Sequence, residues 1–217
     1  MPEREGRLES LVDHSPRTRS LFIRLPPGEG LTFRPGQFVS CPLPIGIRPY
    51  SIASDPEQPE LLELCLDRVP GGAGSAHLFD LAPGATLRFT GPWGTFTLDR
   101  APAAETVFLA DETGLAPIRP MLHRALATAT HPVQLLHAGA PLWRAELERL
   151  AVDHPRFAFT PLPAGTLADA AGRRFVAADA DRTRHFFVCG VGPLVPQLRD
   201  LLRRSGYERR AVQYEKW

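Results

Sequence analysis

The sequence TVFLADETGLAP at residues 106–117 decides the fold of the second half of the chain. Its apolar start at 106–110 is strand-like, and the pattern after the turn predicts a helix over 117–129. Further strand-like runs follow at 133–138, 156–160, 185–189 and 211–214, and helical stretches follow at 142–152, 167–171 and 195–205. Continuous apolar strands that alternate with helices are typical of a parallel sheet covered on both faces. We therefore predict a five-stranded α/β domain over residues 101–217.

The first half of the chain has a different pattern, with short apolar runs broken by proline and glycine. It predicts strands near 7–13, 20–24, 38–42, 50–53, 61–69 and 86–91. Six short strands at this spacing favour a small antiparallel barrel. One short helix is predicted at 75–81, with Ser75 as its N-cap. The joint at 99–104 ends this first domain, which we assign to residues 1–100.

Composition excludes several classes of function. The 217 residues are 43% hydrophobic and 23% charged, and the net charge of +1 provides no general field for nucleic acid or a membrane. No apolar run is long enough to span a bilayer, and the first residues do not resemble a secretory signal, so we expect a cytoplasmic protein. The three cysteines, Cys41, Cys65 and Cys189, are too widely spaced for a zinc or iron–sulfur ligand set, and no metal site is predicted.

Two clusters in the first half carry candidate chemistry. Residues 48–51, Arg-Pro-Tyr-Ser, combine an anion-binding group, an aromatic ring and a hydroxyl on one strand. Residues 71–75, Gly-Gly-Ala-Gly-Ser, open the predicted helix, where free backbone N–H groups can bind phosphate. Taken singly, residues 48–51 can be interpreted as an exposed Arg beside an aromatic residue of a strand, and residues 71–75 as a flexible loop with an ordinary N-cap. Together they supply the parts that a flavin dinucleotide needs.

The same motifs carry a resemblance to a known family. RPYS at 48–51, GGAGS at 71–75 and GPWGTF at 91–96 resemble the FAD domain of the ferredoxin–NADP reductase superfamily. TGLAP at 113–117, Cys-Gly at 189–190 and Glu-x-aromatic at 215–217 resemble its nicotinamide domain. The resemblance implies a six-stranded antiparallel Greek-key barrel that binds FAD and a Rossmann-like domain that binds NAD(P)H. No iron–sulfur domain accompanies them, so the one-electron partner is expected to be a separate small redox protein such as ferredoxin or flavodoxin.

The resemblance also implies roles for individual residues. Arg48, with Pro49 beside it, holds the FAD pyrophosphate, Tyr50 lies along the flavin and ribityl chain, and Ser51 donates to flavin N5. The strand that supports the adenine half of FAD consists of Leu64, Cys65, Leu66, Asp67 and Arg68. The glycine-loop residues that face the pyrophosphate are Gly72, Gly74 and Ser75.

In the second domain the resemblance places Thr113 and Gly114 at the nicotinamide and Cys189 against its C4 atom. Glu215 reaches the N5 edge, and Trp217 stacks on the flavin until nicotinamide displaces it. The predicted catalytic set is therefore Ser51, Cys189, Glu215 and Trp217. Without the resemblance, Cys189 is a buried core thiol and Trp217 a frayed terminal residue.

The sequence departs from the family pattern in the second domain. Asp111 and Glu112 stand where the family has two glycines, and they add bulk and charge near the expected pyrophosphate, with Arg119 as a candidate neutralising partner. The Ser-Arg pair that binds the 2′-phosphate of NADP in the family is missing near residues 160–165. Arg173 and Arg174 either replace that pair in binding the phosphate or are a solvated surface pair. Cys-Gly-Pro has become Cys-Gly-Val-Gly-Pro at 189–193.

Two functions follow from this pattern. The first is an FAD-dependent oxidoreductase that transfers electrons between NAD(P)H and a one-electron carrier. The second is an FAD-binding electron-transfer subunit with a degenerate nicotinamide site, which exchanges electrons with a partner protein.

Overall fold

The computed structural model describes residues 2–178 and 180–217, and its first sheet is antiparallel. The strands are β1 (Arg4–Ser15), β2 (Thr18–Arg24), β3 (Phe38–Leu43), β4 (Gly46–Ser51), β5 (Leu61–Asp67) and β6 (Thr86–Trp93). Their spatial order is β4-β3-β6-β1-β2-β5, and a bridge between Ile52 and Leu64 joins the two ends. Alternate side chains such as Leu21, Ile23 and Phe89 point inward and are fully buried. The predicted Greek-key barrel is confirmed.

The strand that carries Arg48 begins earlier than the prediction. Strands β3 and β4 form a tight hairpin in which Leu43 pairs with Gly46. Three prolines in and around this hairpin hide its strand pattern in the sequence. Pro49 is tolerated within β4 because this strand lies at one end of the sheet order, where a missing N–H breaks no ladder.

The short helix of the barrel is α1 (Ala73–Phe79), and its N-cap is Gly72. The prediction of Ser75 as the N-cap was wrong. Ser75 lies inside the first turn, where its hydroxyl accepts from the Val69 N–H at 2.9 Å and donates to the Gly72 carbonyl at 3.1 Å. This serine therefore shapes the glycine loop.

The second sheet is parallel and has five strands, as predicted. Its elements are β7 (Thr106–Asp111), α2 (Leu115–Thr128), β8 (Val133–Ala138), α3 (Arg144–Asp153), β9 (Phe157–Leu162), α4 (Leu167–Gly172), β10 (His185–Gly190), α5 (Leu194–Arg204) and β11 (Val212–Lys216). The order is β11-β10-β7-β8-β9. Central β7 is buried at every position: Phe108 packs in the cluster with α2 and α3, and Leu109 in the cluster with α4 and α5.

The barrel and the α/β half share an apolar layer and a polar seam. Barrel residues such as Ala53, Cys65 and Phe96 belong to the same buried cluster as helix α2. The polar seam consists of Glu63, Arg119, Trp143 and Glu146. At its centre Arg119 donates to the Glu63 carboxylate at 2.6 Å and pairs with Glu146 at 3.0 Å. Arg119 is therefore a link between the halves, and the prediction that it neutralises Asp111 or Glu112 was wrong.

Candidate cofactor-binding cleft

A cleft of about 610 Å³ lies between the barrel and the carboxyl end of the parallel sheet. This volume is typical of cofactor sites, which span roughly 300–1,000 Å³. The barrel forms one wall, and residues of the α/β half form the other. The lining residues are Ile45, Arg48, Pro49, Tyr50, Ser51, Cys65, Leu66, Asp67, Val69, Gly71, Gly72, Ala73, Gly74, Ser75, Thr113, Ala116, Val191 and Trp217.

Strand β4 presents three groups to the cleft. Arg48 and Tyr50 lie on one side, facing Gly74: a Cβ placed there would lie 3.4 Å from Arg48 Cγ and 3.5 Å from Tyr50 Oη. Burial raises the pKa of Tyr50 to about 12, so its hydroxyl is a neutral donor at physiological pH. Ser51, which is buried, lies further along the strand.

The glycine loop before α1 closes this wall. In a helix the first backbone N–H groups have no intrahelical partner, and here they belong to Ala73, Gly74 and Ser75, all of which line the cleft. The Arg48 guanidinium is exposed on the neighbouring strand. A guanidinium beside free N–H groups is a donor set that suits a pyrophosphate.

Strand β5 contributes only part of its predicted set. Cys65, Leu66 and Asp67 line the cleft. Leu64 does not, because its side chain is fully buried in the barrel core. Arg68 does not line it either, since its guanidinium lies 5.7 Å from the Phe79 ring centroid, outside the cleft.

Asp67 connects the two walls. Its carboxylate accepts from the Thr18 hydroxyl at 2.6 Å within the barrel and from the Thr113 hydroxyl at 3.0 Å across the cleft. The Thr113 hydroxyl, which the resemblance places near a nicotinamide, is therefore hydrogen-bonded to Asp67 in this structure.

Gly114 lies behind this wall and does not line the cleft. A Cβ at this position would collide with the carbonyl of Cys189 on β10. The glycine thus allows the turn after β7 to rest directly on the neighbouring strand, and its role in this structure is close backbone approach.

The predicted catalytic residues of the α/β half lie at the ends of β10 and β11. Cys189 pairs with Glu215 in the parallel ladder, and both lie outside the cleft lining. Cys189 is 1% exposed, and burial together with the Glu215 charge holds the pKa of its thiol well above the usual value. Burial raises the pKa of Glu215 to about 7. Cys189 in this structure is a neutral thiol.

Trp217 covers this corner of the cleft. Its ring packs against the buried cluster that contains Cys189 and lies edge-on to Phe38, with ring centroids 5.7 Å apart. Its backbone N–H donates to the Gly190 carbonyl at 3.2 Å, and its carbonyl accepts from Gly192 at 3.4 Å. The longer loop after Cys189 therefore holds Trp217 at the cleft.

Asp111 and Glu112 occupy different environments. Asp111 is buried at the end of β7, and burial, with the charges of Glu112 and Asp67, raises its pKa to about 6. The Glu112 carboxylate turns away from the barrel and accepts from the Ala140 N–H at 3.2 Å. The two carboxylates that replace the family's glycines therefore lie apart, with Asp111 at the end of β7 and Glu112 at the loop after β8.

The end of β9 is where the sequence lacks the expected Ser-Arg pair. Arg174 donates to the Thr160 hydroxyl there at 3.3 Å, whereas Arg173 has no such contact with this strand among the hydrogen bonds of the described residues. Of the two candidate substitutes, only Arg174 reaches the end of β9.

Six lining residues are absent from the predicted set: Ile45, Val69, Gly71, Ala73, Ala116 and Val191. Five of these lie within or directly beside segments whose other residues were predicted, so taking every residue of each segment and its immediate neighbours would have found them. Ile45 is at the tip of the β3–β4 hairpin, which the prolines conceal.

The cleft residues fit an FAD molecule. Arg48 and the loop N–H groups suit the pyrophosphate, and Tyr50 and Trp217 offer aromatic surfaces to a flavin. One buried polar atom beside the cleft, Glu215 Oε2, has no hydrogen-bond partner among the described residues. Buried groups without partners are rare in proteins, and a polar ring edge at this corner would satisfy it.

The described residues, 2–178 and 180–217, hold no group of His, Cys, Asp and Glu side chains arranged for a metal ion. Within the same residues, no helix combines the length and apolarity that crossing a membrane requires.

Comparison with known proteins identifies relatives of the whole chain and of its first half. Residues 5–98 match the family model described as oxidoreductase FAD-binding domain. The chain is 35% identical to ferredoxin–NADP reductase B of Sorangium cellulosum, over 98% of this chain and 97% of that protein. It is 35% identical to an aromatic O-demethylase reductase subunit of Amycolatopsis over 70% of this chain, and it spans about half of that relative, 48%.

Solved structures show the same fold. An Amycolatopsis cytochrome P450 reductase superimposes with a TM-score of 0.88 at 29% identity, covering 99% of this chain and 70% of that chain. A ferredoxin NADP⁺ reductase from Neisseria gonorrhoeae, solved with FAD and NADP, superimposes with a TM-score of 0.81 at 20% identity over 100% of this chain and 99% of that chain.

Proposed function

Because the chain belongs to the ferredoxin–NADP reductase superfamily of FAD-dependent oxidoreductases, we propose that it oxidises NAD(P)H and passes the electrons to a separate one-electron carrier. The proposed division is FAD binding by residues 1–100 and nicotinamide binding by residues 101–217. The observation that supports it most is the two-walled cleft, which joins Arg48, Tyr50 and Ser51 on the barrel to Thr113 and Trp217 on the α/β half.

FAD, when bound, supplies the chemistry, because it accepts a hydride and returns the electrons one at a time. The chain's own residues bind, orient and protect. Arg48 and the glycine-loop N–H groups hold the pyrophosphate, and Tyr50 and Ser51 orient the ring system. Glu215, with a pKa of about 7, can take up or release a proton beside the cleft near neutral pH. Trp217 excludes water from the corner above Cys189.

The proposed partner is a small redox protein such as ferredoxin or flavodoxin. The three cysteines are free and buried at separate places, so the described chain offers no thiolate set for a cluster of its own. Relatives are named as reductase components, for example that of the Pseudomonas phenol 2-monooxygenase, at 32% identity over 46% of its length. The expected cytoplasmic location stays a prediction.

A second function has one observation in its favour. Asp111 and Glu112 stand at the carboxyl end of β7, and Glu112 is bonded to the loop after β8. If these side chains close the nicotinamide site, the chain is an FAD-binding electron-transfer subunit that exchanges electrons only with its partner.

Anaerobic mixing of the purified, flavin-loaded protein with NADH and with NADPH separates the two functions. Bleaching of the flavin absorbance by either nucleotide is the result we expect. Absence of bleaching by both, with full bleaching by dithionite, would instead support the electron-transfer subunit.

Retention of FAD tests the cofactor assignment separately. Arg48→Ala removes a charge-assisted contact to phosphate and should weaken FAD binding by about 2–4 kcal/mol. Arg88→Ala is the matched control, because Arg88 is also exposed on a barrel strand but lies outside the cleft lining. Equal FAD retention in the two variants, or extraction of FMN in place of FAD, would contradict the assignment.

A further inference from the structure

Glu112 holds a backbone conformation that side chains rarely adopt. Its φ is +48°, in the left-handed region, which is strained for a residue other than glycine. Such a conformation persists only where the surroundings fix it. The contacts of Glu112 therefore have to account for it.

The end of β8 supplies those contacts. The Glu112 carboxylate accepts from the Ala140 N–H at 3.2 Å, and His137 Nε2 lies 3.1 Å from the Glu112 carbonyl oxygen. Burial lowers the pKa of His137, so its ring is neutral and its Nε2–H donates to that carbonyl. Gly139, with φ +112°, leaves room for the carboxylate, and a Cβ at this glycine would collide with it.

This carboxylate lies where parallel sheets bind their ligands. Open α/β sheets place ligands beyond the carboxyl ends of their strands, and Glu112 spans the ends of β7 and β8. A cavity of about 340 Å³ adjoins it, and Gly139, His137 and Arg144 line that cavity. Among the ion pairs of residues 2–178 and 180–217, none involves Glu112, and the guanidinium of Arg144, which lines the cavity, pairs with Glu148 at 2.7 Å.

We propose that Glu112 is a specificity-determining residue, whose carboxylate occupies the position at the Ala140 N–H that a phosphate of the bound nucleotide would take. A phosphate-bearing nucleotide then has to displace the carboxylate before it binds. Glu112 thereby weakens the binding of ligands that carry a phosphate at this edge of the sheet, and it leaves the affinity for an uncharged nucleoside unchanged. This inference rests on the proposed binding of a nicotinamide nucleotide by residues 101–217.

Titration of the flavin-loaded full chain with ADP and with adenosine tests the proposal, because the two probes differ only in phosphate. Glu112→Gln keeps the side-chain size and removes the charge, and Glu112→Gly also removes the strained conformation. We expect about tenfold tighter ADP binding in Glu112→Gln, at least as large a gain in Glu112→Gly, and adenosine affinity within twofold of wild type.

Asp153→Asn is the matched control, since it removes one carboxylate charge from the exposed far end of α3. Its ADP affinity should equal that of wild type. Unchanged ADP affinity in both Glu112 variants, an equal gain for adenosine, or no ADP binding by any form overturns the proposal. Flavin bleaching by NAD(P)H is measured apart from these titrations, so failure of the proposed function is distinguishable from failure of the Glu112 assignment.

Discussion

Replacement of Arg119 by Met should destabilise the protein more than any other single loss of charge in the polar seam. Arg119 donates to Glu63 at 2.6 Å and to the Ala53 carbonyl at 2.8 Å, and it pairs with Glu146 at 3.0 Å. The side chain of Glu63 is only 4% exposed. Without Arg119 its carboxylate would retain neutral donors alone, the Ser20 hydroxyl and the Trp143 indole.

The expected magnitude follows from this burial. Removal of one member of a buried ion pair costs about 3–5 kcal/mol, because the other charge stays buried and unpaired. Burial raises the pKa of Glu63 already, and Arg119 acts against that rise. In Arg119→Met the folded-state pKa of Glu63 should rise further above its unfolded value, so stability is lost as pH rises. The deficit should therefore be largest at neutral pH and smaller near pH 5.

Urea denaturation followed by tryptophan fluorescence measures the effect. The control is Arg144→Met, which breaks a pair whose side chains are 52% and 54% exposed and should cost about 0.5 kcal/mol or less. Arg119→Met with Glu63→Gln leaves no unpaired charge at the Glu63 position and should recover part of the loss. A loss in Arg119→Met as small as that of the control, or a double variant less stable than Arg119→Met, would contradict this prediction.

Three further predictions concern the α/β half. Trp217→Ser should increase nicotinamide occupancy by removing a competing ring, and an unchanged Michaelis constant for NAD(P)H would contradict this. Burial raises the pKa of Glu215 from 4.5 to about 7, so the free energy of unfolding should fall by at most about 3 kcal/mol as pH rises from 5 to 8. Glu215→Gln should reduce this pH dependence in urea titrations. Steady-state kinetics should show little preference for NADPH over NADH, and a strong preference would implicate Arg174 at Thr160.

Local sequence patterns predicted the fold because each half has a distinct period. The apolar run of β7 is buried on both faces, and its residues therefore read as a continuous strand. The barrel strands alternate, and their turns carry proline and glycine. The barrel strand whose start differs most from the prediction, β4, is the one in which proline at a sheet edge breaks the usual signal.

The cleft was predictable where a motif is short and local. Arg48, Tyr50 and Ser51 are neighbours in sequence, and alternation along one strand sets their directions. Alternation does not explain strand β5, because Leu64 and Leu66 share one of its faces, yet Leu66 lines the cleft and Leu64 does not.

The partners of charged residues could not be predicted. Arg119 meets Glu63 across 56 positions of sequence, and Glu112 meets Ala140 across 28. The first contact depends on how the two halves pack together, and the second on how the ends of β7 and β8 lie side by side, and no local period of the sequence encodes either.

The polar seam restricts how halves of such reductases can be recombined. Glu63 belongs to the barrel, whereas Arg119, Trp143 and Glu146 belong to the α/β half, and the Trp143 indole donates to Glu63 at 3.2 Å. A hybrid that takes its barrel from one reductase and its α/β half from another inherits either a complete set of partners or an isolated buried charge. The unit that can be exchanged is therefore larger than either half: a donor barrel has to bring a carboxylate at position 63 to an α/β half that carries an arginine at position 119.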